Sequence, residues 1–421
     1  MSSLQKFIRL NLLLTRMLIF TILFSQFVLC QDSNKKNKTD SVLREFDLSY
    51  PFKICWKLKK EELINNAFAS DKANYLLVST FGGIIKSLNS ESGEKRWETD
   101  LGGEIISTPY IDGENVYIVS KPKENQNEVP LNNEISTDGT DGNENNIIIR
   151  SLSVSSGVTV WQTNLKIDLN PEQVFIYIHK STTLIADKNG NLYSIYKNDG
   201  VFNWQKTLGV KLSAPPYFYA DKAILGTIDK QLIILNLGEG KTYKKLELPV
   251  IPTAISFNSN DETLIVGDQK GIVSSIKIEK IGFEISKKEK KKKTKYASWK
   301  FRLGAEVSDI SFTPRGLLIT SLDNFAYLIS AEKGDLIWKK RLAGRISEKS
   351  LVLDNYALIT TIAEPTISVF GVSTGRLINK IILEDENFVT ANPIKIQNKI
   401  IVPTSGGLYA FSPNECHKIE N

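Results

Sequence analysis

Along most of the chain, apolar residues come in runs of four to seven, broken by Gly, Asp and Asn. TPYIDGENVYIVS carries an apolar run, a turn at Asp112-Gly113, and then alternation through Val116, Ile118 and Ser120. TTLIADKNGNLYSIY repeats the form around Asn189-Gly190, and ETLIVGDQKGIVSSIKI, GLLITSLDNFAYLIS and KIIVPTSGGLYAFS follow it. Period-two runs between turn residues, with no long 3.6-residue period, predict an all-β chain built of hairpins. One short helix is expected near Lys59–Phe68.

The hairpins recur. SLNSESGEKRW, SLSVSSGVTVW, SIYKNDGVFNW and LISAEKGDLIW each end in Gly-x-x-x-Trp, placing Gly93, Gly157, Gly200 and Gly334 four residues before Trp97, Trp161, Trp204 and Trp338. SVFGVSTGRLIN keeps Gly375 but has Asn379 in the tryptophan position. With Trp56, a point near Lys244 and Trp299 added, most steps are 39 to 43 residues; two are 64 and 55. Each long step holds a polar insertion, at about 121–146 and 284–296. Without these, the unit is about 40 residues, the size of a four-stranded propeller blade. FKICWKL (52–58) reads as an isolated outer strand, and ANPIKIQNKIIVPTSGGLYAFSP as three strands without an outer one. The expected fold is an eight-bladed β-propeller of four-stranded antiparallel blades. The N-terminal strand would complete the C-terminal blade and remove the free edges.

The SG-x-x-x-W motif, with STP (107–109), SAP (213–215) and ANP (391–393) opening units, resembles the quinoprotein-type tryptophan-docking repeat. The resemblance covers most of 50–413; the units around Lys244, Trp299 and Asn379 depart from it. It implies that Trp56, Trp97, Trp161, Trp204, Trp299 and Trp338 dock between neighbouring blades, with packing rather than ligand stacking as their role. LLVSTFGGIIKSLNSESGEKRW is similar to three branches of that family. These are the lumenal sensor domains of unfolded-protein-response kinases, the propeller subunit of the endoplasmic reticulum membrane complex, and the bacterial outer-membrane assembly lipoprotein.

Residues 1–30 carry Lys6, Arg9 and Arg16 ahead of MLIFTILFSQFVL, the pattern of a secretory signal peptide; an uncleaved anchor is the alternative. A lipoprotein site at Cys30 fits less well, because Phe27, Val28 and Leu29 are bulky. A polar segment (31–49) would follow, then one propeller domain (50–416) and a tail (417–421), with no later transmembrane stretch. Asn37-Lys38-Thr39 is a glycosylation sequon. Cys55 precedes the tryptophan column, and Cys416 aligns with the turn that holds Gly93 or Gly157 in sister units. A Cys55–Cys416 disulfide across the ring closure is therefore expected in an oxidising compartment, with two free structural thiols as the alternative. The compartment would be the endoplasmic reticulum lumen or the exterior, or else a bacterial periplasm.

The formal net charge is +6, and Lys287–Lys295 (KKEKKKKTK) accounts for all of it. The body is close to neutral, which argues against a nucleic-acid partner and leaves that loop for weak contact with an anionic surface. Catalytic chemistry is sparse. His179 and His417 lack neighbours at metal-ligand spacing, and GEGKT (238–242) has Leu235 where a phosphate loop needs glycine. Asp187, Asp229, Asp268 and Asp323 recur at turns, where turn propensity explains them. No cofactor and no metal site is expected. The reading is a non-catalytic, protein-binding propeller of the secretory pathway; the sequence names no partner. A quinone-dependent dehydrogenase and a carbohydrate-binding propeller are the alternatives.

Overall fold

The computed structural model describes residues 47–59, 64–70, 75–122, 145–167, 173–258, 263–277, 297–346, 349–362, 364–384, 387–413 and 416. Contacts divide the chain into Met1–Tyr50 and Pro51–Asn421. Of the first unit only a turn at 47–50 is described, in which Asp47 Oδ1 accepts from the Ser49 N–H at 3.0 Å. The signal peptide, Asn37, the Lys287–Lys295 loop and His417 lie outside the described residues.

The second unit is an eight-bladed β-propeller, each blade a four-stranded antiparallel sheet. Blades 1 to 7 span 64–100, 110–167, 174–207, 217–247, 252–302, 307–341 and 351–382. Blade 8 is built from both ends of the domain: the outer strand Lys53–Lys59 pairs with Gly407–Ser412, which pairs in turn with Lys399–Thr404 and Ile394–Ile396. The expected ring closure is thus present, and no sheet is left with three strands. The helix expected near Lys59–Phe68 is not there: Ile64–Ser70 is the inner strand of blade 1, paired with Tyr75–Thr80.

Strand position explains composition. The second strand of each blade is covered on both faces by neighbouring blades, so it reads as an apolar run without alternation. Thr182–Asp187, Thr263–Asp268 and Lys399–Thr404 are buried at every position. The outermost strands face water on one side and alternate, as KRWETD does at Lys95–Asp100. Inner strands crowd around the axis and several are only three residues long, among them Tyr110–Asp112, Tyr217–Tyr219, Leu351–Leu353 and Ile394–Ile396.

Antiparallel order gives the ring two unlike faces. Turns between strands one and two, and between three and four, open on one side; we call this the docking face. Turns between strands two and three, and the connections between blades, open on the other, here called the tip face. The strand ends that flank the two polar insertions lie on opposite faces. Residues 121–144 join the second and third strands of blade 2, whose third strand begins at Asn145, whereas 278–296 join the third and fourth strands of blade 5.

A docking framework and a candidate binding face

On the docking face the tryptophans link blade to blade. Gly93 was read in sequence with Trp97, four residues on, but in space it lies beneath Trp56 of the preceding blade. The same displacement pairs Gly157 with Trp97, Gly200 with Trp161, Gly334 with Trp299 and Gly375 with Trp338. It also pairs Gly240, in the GEGKT turn, with Trp204. Each indole N–H donates to the carbonyl three residues before its glycine. Trp56 reaches Ser90 at 3.0 Å, Trp97 Val154 at 2.9 Å, Trp161 Lys197 at 2.9 Å, Trp204 Leu237 at 3.3 Å, Trp299 Ala331 at 3.1 Å and Trp338 Val372 at 2.7 Å.

Two features aim the rings. A β-bulge skips the residue before the tryptophan position in all eight blades, including those that carry Lys244 and Asn379 there. Such a bulge adds local twist and re-aims the next side chain. The receiving glycine is left-handed and open: a Cβ at Gly200 (φ +72°) would stand 2.5 Å from Trp161 Cε3.

Cys55 is the bulged residue of the closing blade. Its sulfur lies at bonding distance from that of Cys416, with Cα atoms 5.2 Å apart, so the two ends of the propeller meet at disulfide distance. At the same seam, the Lys399 ammonium, 2% exposed, is paired with the Glu91 carboxylate of blade 1. Two seams further on, between blades 2 and 3, Lys197 meets Asp112 at 2.7 Å.

The tip face is built differently. Five hairpins there share one geometry. The N–H of Gly83, Gly190, Lys230, Gly271 and Asn324 donates to the carbonyl three residues earlier, at 3.1 to 3.2 Å. Those five residues all have positive φ. The first turn residue caps the hairpin with its side chain: Thr80 Oγ1 accepts from Ile84 N–H at 3.2 Å, Asp187 Oδ1 from Asn191 N–H at 2.8 Å and Asp268 Oδ1 from Ile272 N–H at 2.9 Å. This is the turn role assigned to the aspartates. In blade 6 Asp323 takes it, accepting from Phe325 N–H at 3.1 Å and from the Tyr327 hydroxyl at 2.5 Å. Burial first, then that carboxylate, pushes the Tyr327 phenol well above its usual range.

With both turn ends engaged, the second turn residue projects from the face. It is Phe81, Lys188, Ile228, Gln269 and Leu322 in blades 1, 3, 4, 5 and 6. Phe81 is 49% exposed, Ile228 47% and Leu322 40%. Blade 7 presents Ile362 at 70% and the blade 8 connection Phe388 at 61%. Phe388 is locked to the blade 8 turn by two hydrogen bonds: its N–H donates to Ser405 Oγ at 3.2 Å, and its carbonyl accepts from Ser405 N–H at 2.9 Å. The sequence reading passed over these side chains. The signal was available, because TFGG, TIDK, SLDN and TIAE each set an apolar residue directly after a hydroxyl one.

Inside this ring of tips, two recesses open at the mouth of the central channel. One of about 410 Å³ is lined by Asn66, Ser107, Thr108, Gln173 and Thr390; another of about 390 Å³ by Thr253, Ser256, Ser308, Thr320 and Asp309. The second mixes these groups with Pro215, Ile310 and Ile346. Asp309 is engaged by Ser311 at 2.9 Å and Lys349 at 3.8 Å. Among the described residues no three His, Cys, Asp or Glu side chains converge as metal ligands, and the cysteines sit at the seam. These residues do not fit a calcium–quinone centre, which calls for convergent carboxylates. His179 stands at the end of an inner strand, where burial and then Lys180 hold its imidazole below the ordinary range.

The sequence model described as outer membrane protein assembly factor BamB matches residues 53–143 and 144–280. Among solved structures, BamB from Moraxella catarrhalis aligns with a TM-score of 0.62 at 12% identity, over 86% of this chain and 99% of that one. Sqt1 from Saccharomyces cerevisiae aligns with a TM-score of 0.64 at 11% identity, over 87% and 99%. The computationally designed Ika8 protein gives 0.62 at 14%, over 85% and 99%. At these identities the structural likeness concerns the fold alone. No curated protein sequence matches the chain.

Proposed function

We propose that this chain, which belongs to the family of the outer membrane protein assembly factor BamB, is a non-catalytic propeller that binds other proteins as a scaffold or assembly factor in the secretory pathway. The observation that carries the reading is the exposed arc of Phe81, Leu322, Ile362 and Phe388, three on hairpin turns and Phe388 on a connection, whose backbones are fixed by hydrogen bonds. Large apolar side chains clustered on one face mark interaction surfaces, and rigid support lowers the ordering cost of binding. The family's assembly role and the propeller fold point the same way. The Cys55–Cys416 clasp favours an oxidising compartment, in keeping with the leader pattern of residues 1–30 and the sequon at Asn37.

Affinity capture of the tagged chain, expressed through a secretory route and analysed by mass spectrometry, tests this reading when paired with an absorbance spectrum of the same sample. Specific secretory or membrane-complex partners without a chromophore support it. A stoichiometric quinone band without partners overturns it in favour of an oxidoreductase.

A further inference from the structure

We infer that the tip face receives a polypeptide segment carrying acidic residues next to large apolar side chains; this deepens the scaffold reading and rests on it. The face divides into two arcs across the channel mouth. Leu322, Ile362, Phe388 and Phe81 stand on blades 6, 7, 8 and 1, four neighbours in the ring. Their local charges are largely spoken for: Glu364 is paired with Lys380 at 3.3 Å and Glu384 with Lys57 at 2.9 Å. Glu306 and Glu104 mark the two ends of this arc and Arg345 stands within it.

Blades 3, 4 and 5 carry the other arc. Lys188, Lys230 and Lys270 sit on their turns and Lys211 on the connection between blades 3 and 4, all exposed, with Ile228 among them. In contrast to Lys197, Lys222, Lys241 and Lys399 on the docking face, none of these four forms an ion pair among the described residues. The carboxylates beside them serve the turns. Asp187 holds Asn191 through N–H and Nδ2, Asp268 holds the Lys270 and Ile272 N–H groups, and Asp229 is bonded by the Thr227 hydroxyl. These carboxylates keep their charge, but Asp187 and Asp268 are buried, so what the arc exposes is four lysines against Asp229.

Charge complementarity then asks for an acidic stretch over blades 3 to 5, and the apolar arc for hydrophobic side chains across the mouth. A polypeptide supplies both within one segment, and its backbone amides suit the hydroxyls in the recesses between the arcs. A flat lipid surface would meet the tips but leave those recesses unfilled.

The test uses the oxidised full chain and a fluorescein-labelled peptide, an Asp/Glu block followed by alternating Leu and Phe, read by fluorescence polarisation at several salt concentrations. Wild type should bind it, more weakly as salt rises. K188E/K230E/K270E should weaken binding by about tenfold, lose the salt dependence and gain affinity for the Lys-block counterpart. F81S/L322S/I362S should weaken it by about tenfold while keeping the salt dependence. All six positions are exposed, so unchanged melting curves verify folding. Wild-type affinity in both variants would overturn the inference while leaving the scaffold reading intact, provided that captured partners persist; absence of any captured polypeptide would instead sink the scaffold reading. Binding to phosphatidylserine vesicles without peptide binding would make this a lipid-facing surface and overturn the inference. So would peptide binding seen only after deletion of the acidic connection 123–144, which would then be the occupant.

Discussion

The Trp161–Gly200 contact predicts a coupling that neither residue shows alone. Trp161 is 9% exposed, its indole N–H is bonded to the Lys197 carbonyl at 2.9 Å, and its ring lies against Gly200. Truncation to alanine removes a buried aromatic and should cost about 3–5 kcal/mol. Gly200→Ala carries two penalties. A left-handed φ of +72° disfavours any Cβ, by roughly 1–2 kcal/mol. A Cβ 2.5 Å from Trp161 Cε3 and 2.6 Å from Thr163 Oγ1 adds overpacking of about 1–3 kcal/mol. In the Trp161→Ala background the ring is gone and most of the overpacking goes with it. The double variant should therefore be less destabilised than the sum of the singles, by about 1–3 kcal/mol. Urea unfolding of all four proteins, oxidised and followed by near-ultraviolet circular dichroism, gives the four midpoints and slopes. Additivity within about 0.5 kcal/mol would refute the argument that the glycine is there to receive the ring.

Other outcomes follow from the seam and the inner strands. Reducing Cys55–Cys416 opens a loop of 361 residues, which the loop-entropy relation values at about 6 kcal/mol, so dithiothreitol should lower the unfolding midpoint and expose Lys53–Lys59 to protease. An unchanged midpoint would mean that the strand pairing alone closes the ring. At the neighbouring ion pair the two truncations should be unequal. Glu91→Ala leaves the buried ammonium with only Asn398 Oδ1, at 3.2 Å, as a partner and should cost about 1–3 kcal/mol, whereas Lys399→Met removes the group that needs a partner and should cost less; equal losses would contradict this. Because the folded state holds His179 below its unfolded pKa, the unfolded chain binds more protons between the two values, and stability must rise with pH there. Stability should then fall as pH drops through the ordinary imidazole range, and His179→Gln should flatten that slope; an unaltered slope would assign the effect elsewhere.

Most of the fold was legible because the docking residue is large and rare. A tryptophan at a constant step reports the period directly, and Trp56 standing alone before the first full unit reports the shared blade. What the sequence concealed was which glycine meets which tryptophan. Spacing joins Gly200 to Trp204 along the chain, while the bulge before each tryptophan turns the ring toward the next blade, so Gly200 receives Trp161. The stretch near Lys59–Phe68 misled for another reason. EELINNAF has helical spacing and propensity, and the pairing of Ile64–Ser70 with Tyr75–Thr80 around the axis overrides both. The tip residues were hidden in plain view: an exposed Phe or Ile in a single turn is unremarkable. Only superposition of five turns with one hydrogen-bond pattern shows that Phe81, Ile228 and Leu322 hold the same projecting position.

The two faces differ in what they tolerate. On the docking face each turn is constrained by the previous blade, through a ring on its glycine, an indole on its carbonyl and, at some seams, an ion pair. Where the ring is missing, at Lys244 and Asn379, the receiving position is changed as well: strands three and four of blade 5 are joined by the long insertion, and in blade 8 no turn joins them and Cys416 follows the third strand. Ring and receptor vary together, as a nearest-neighbour interface requires. On the tip face the backbone of the turn is held, at Ile228, Gln269 and Leu322 also by an N–H bond to the connection carbonyls of Lys211, Ile251 and Glu306, while the side chain of the second residue stays exposed. Phe, Lys, Ile, Gln and Leu occupy that position with the same turn hydrogen bond. The turn geometry does not require Phe81 or Leu322 at that position, since Lys188 and Gln269 serve it equally. On the scaffold proposal, the demand for them comes from a bound partner.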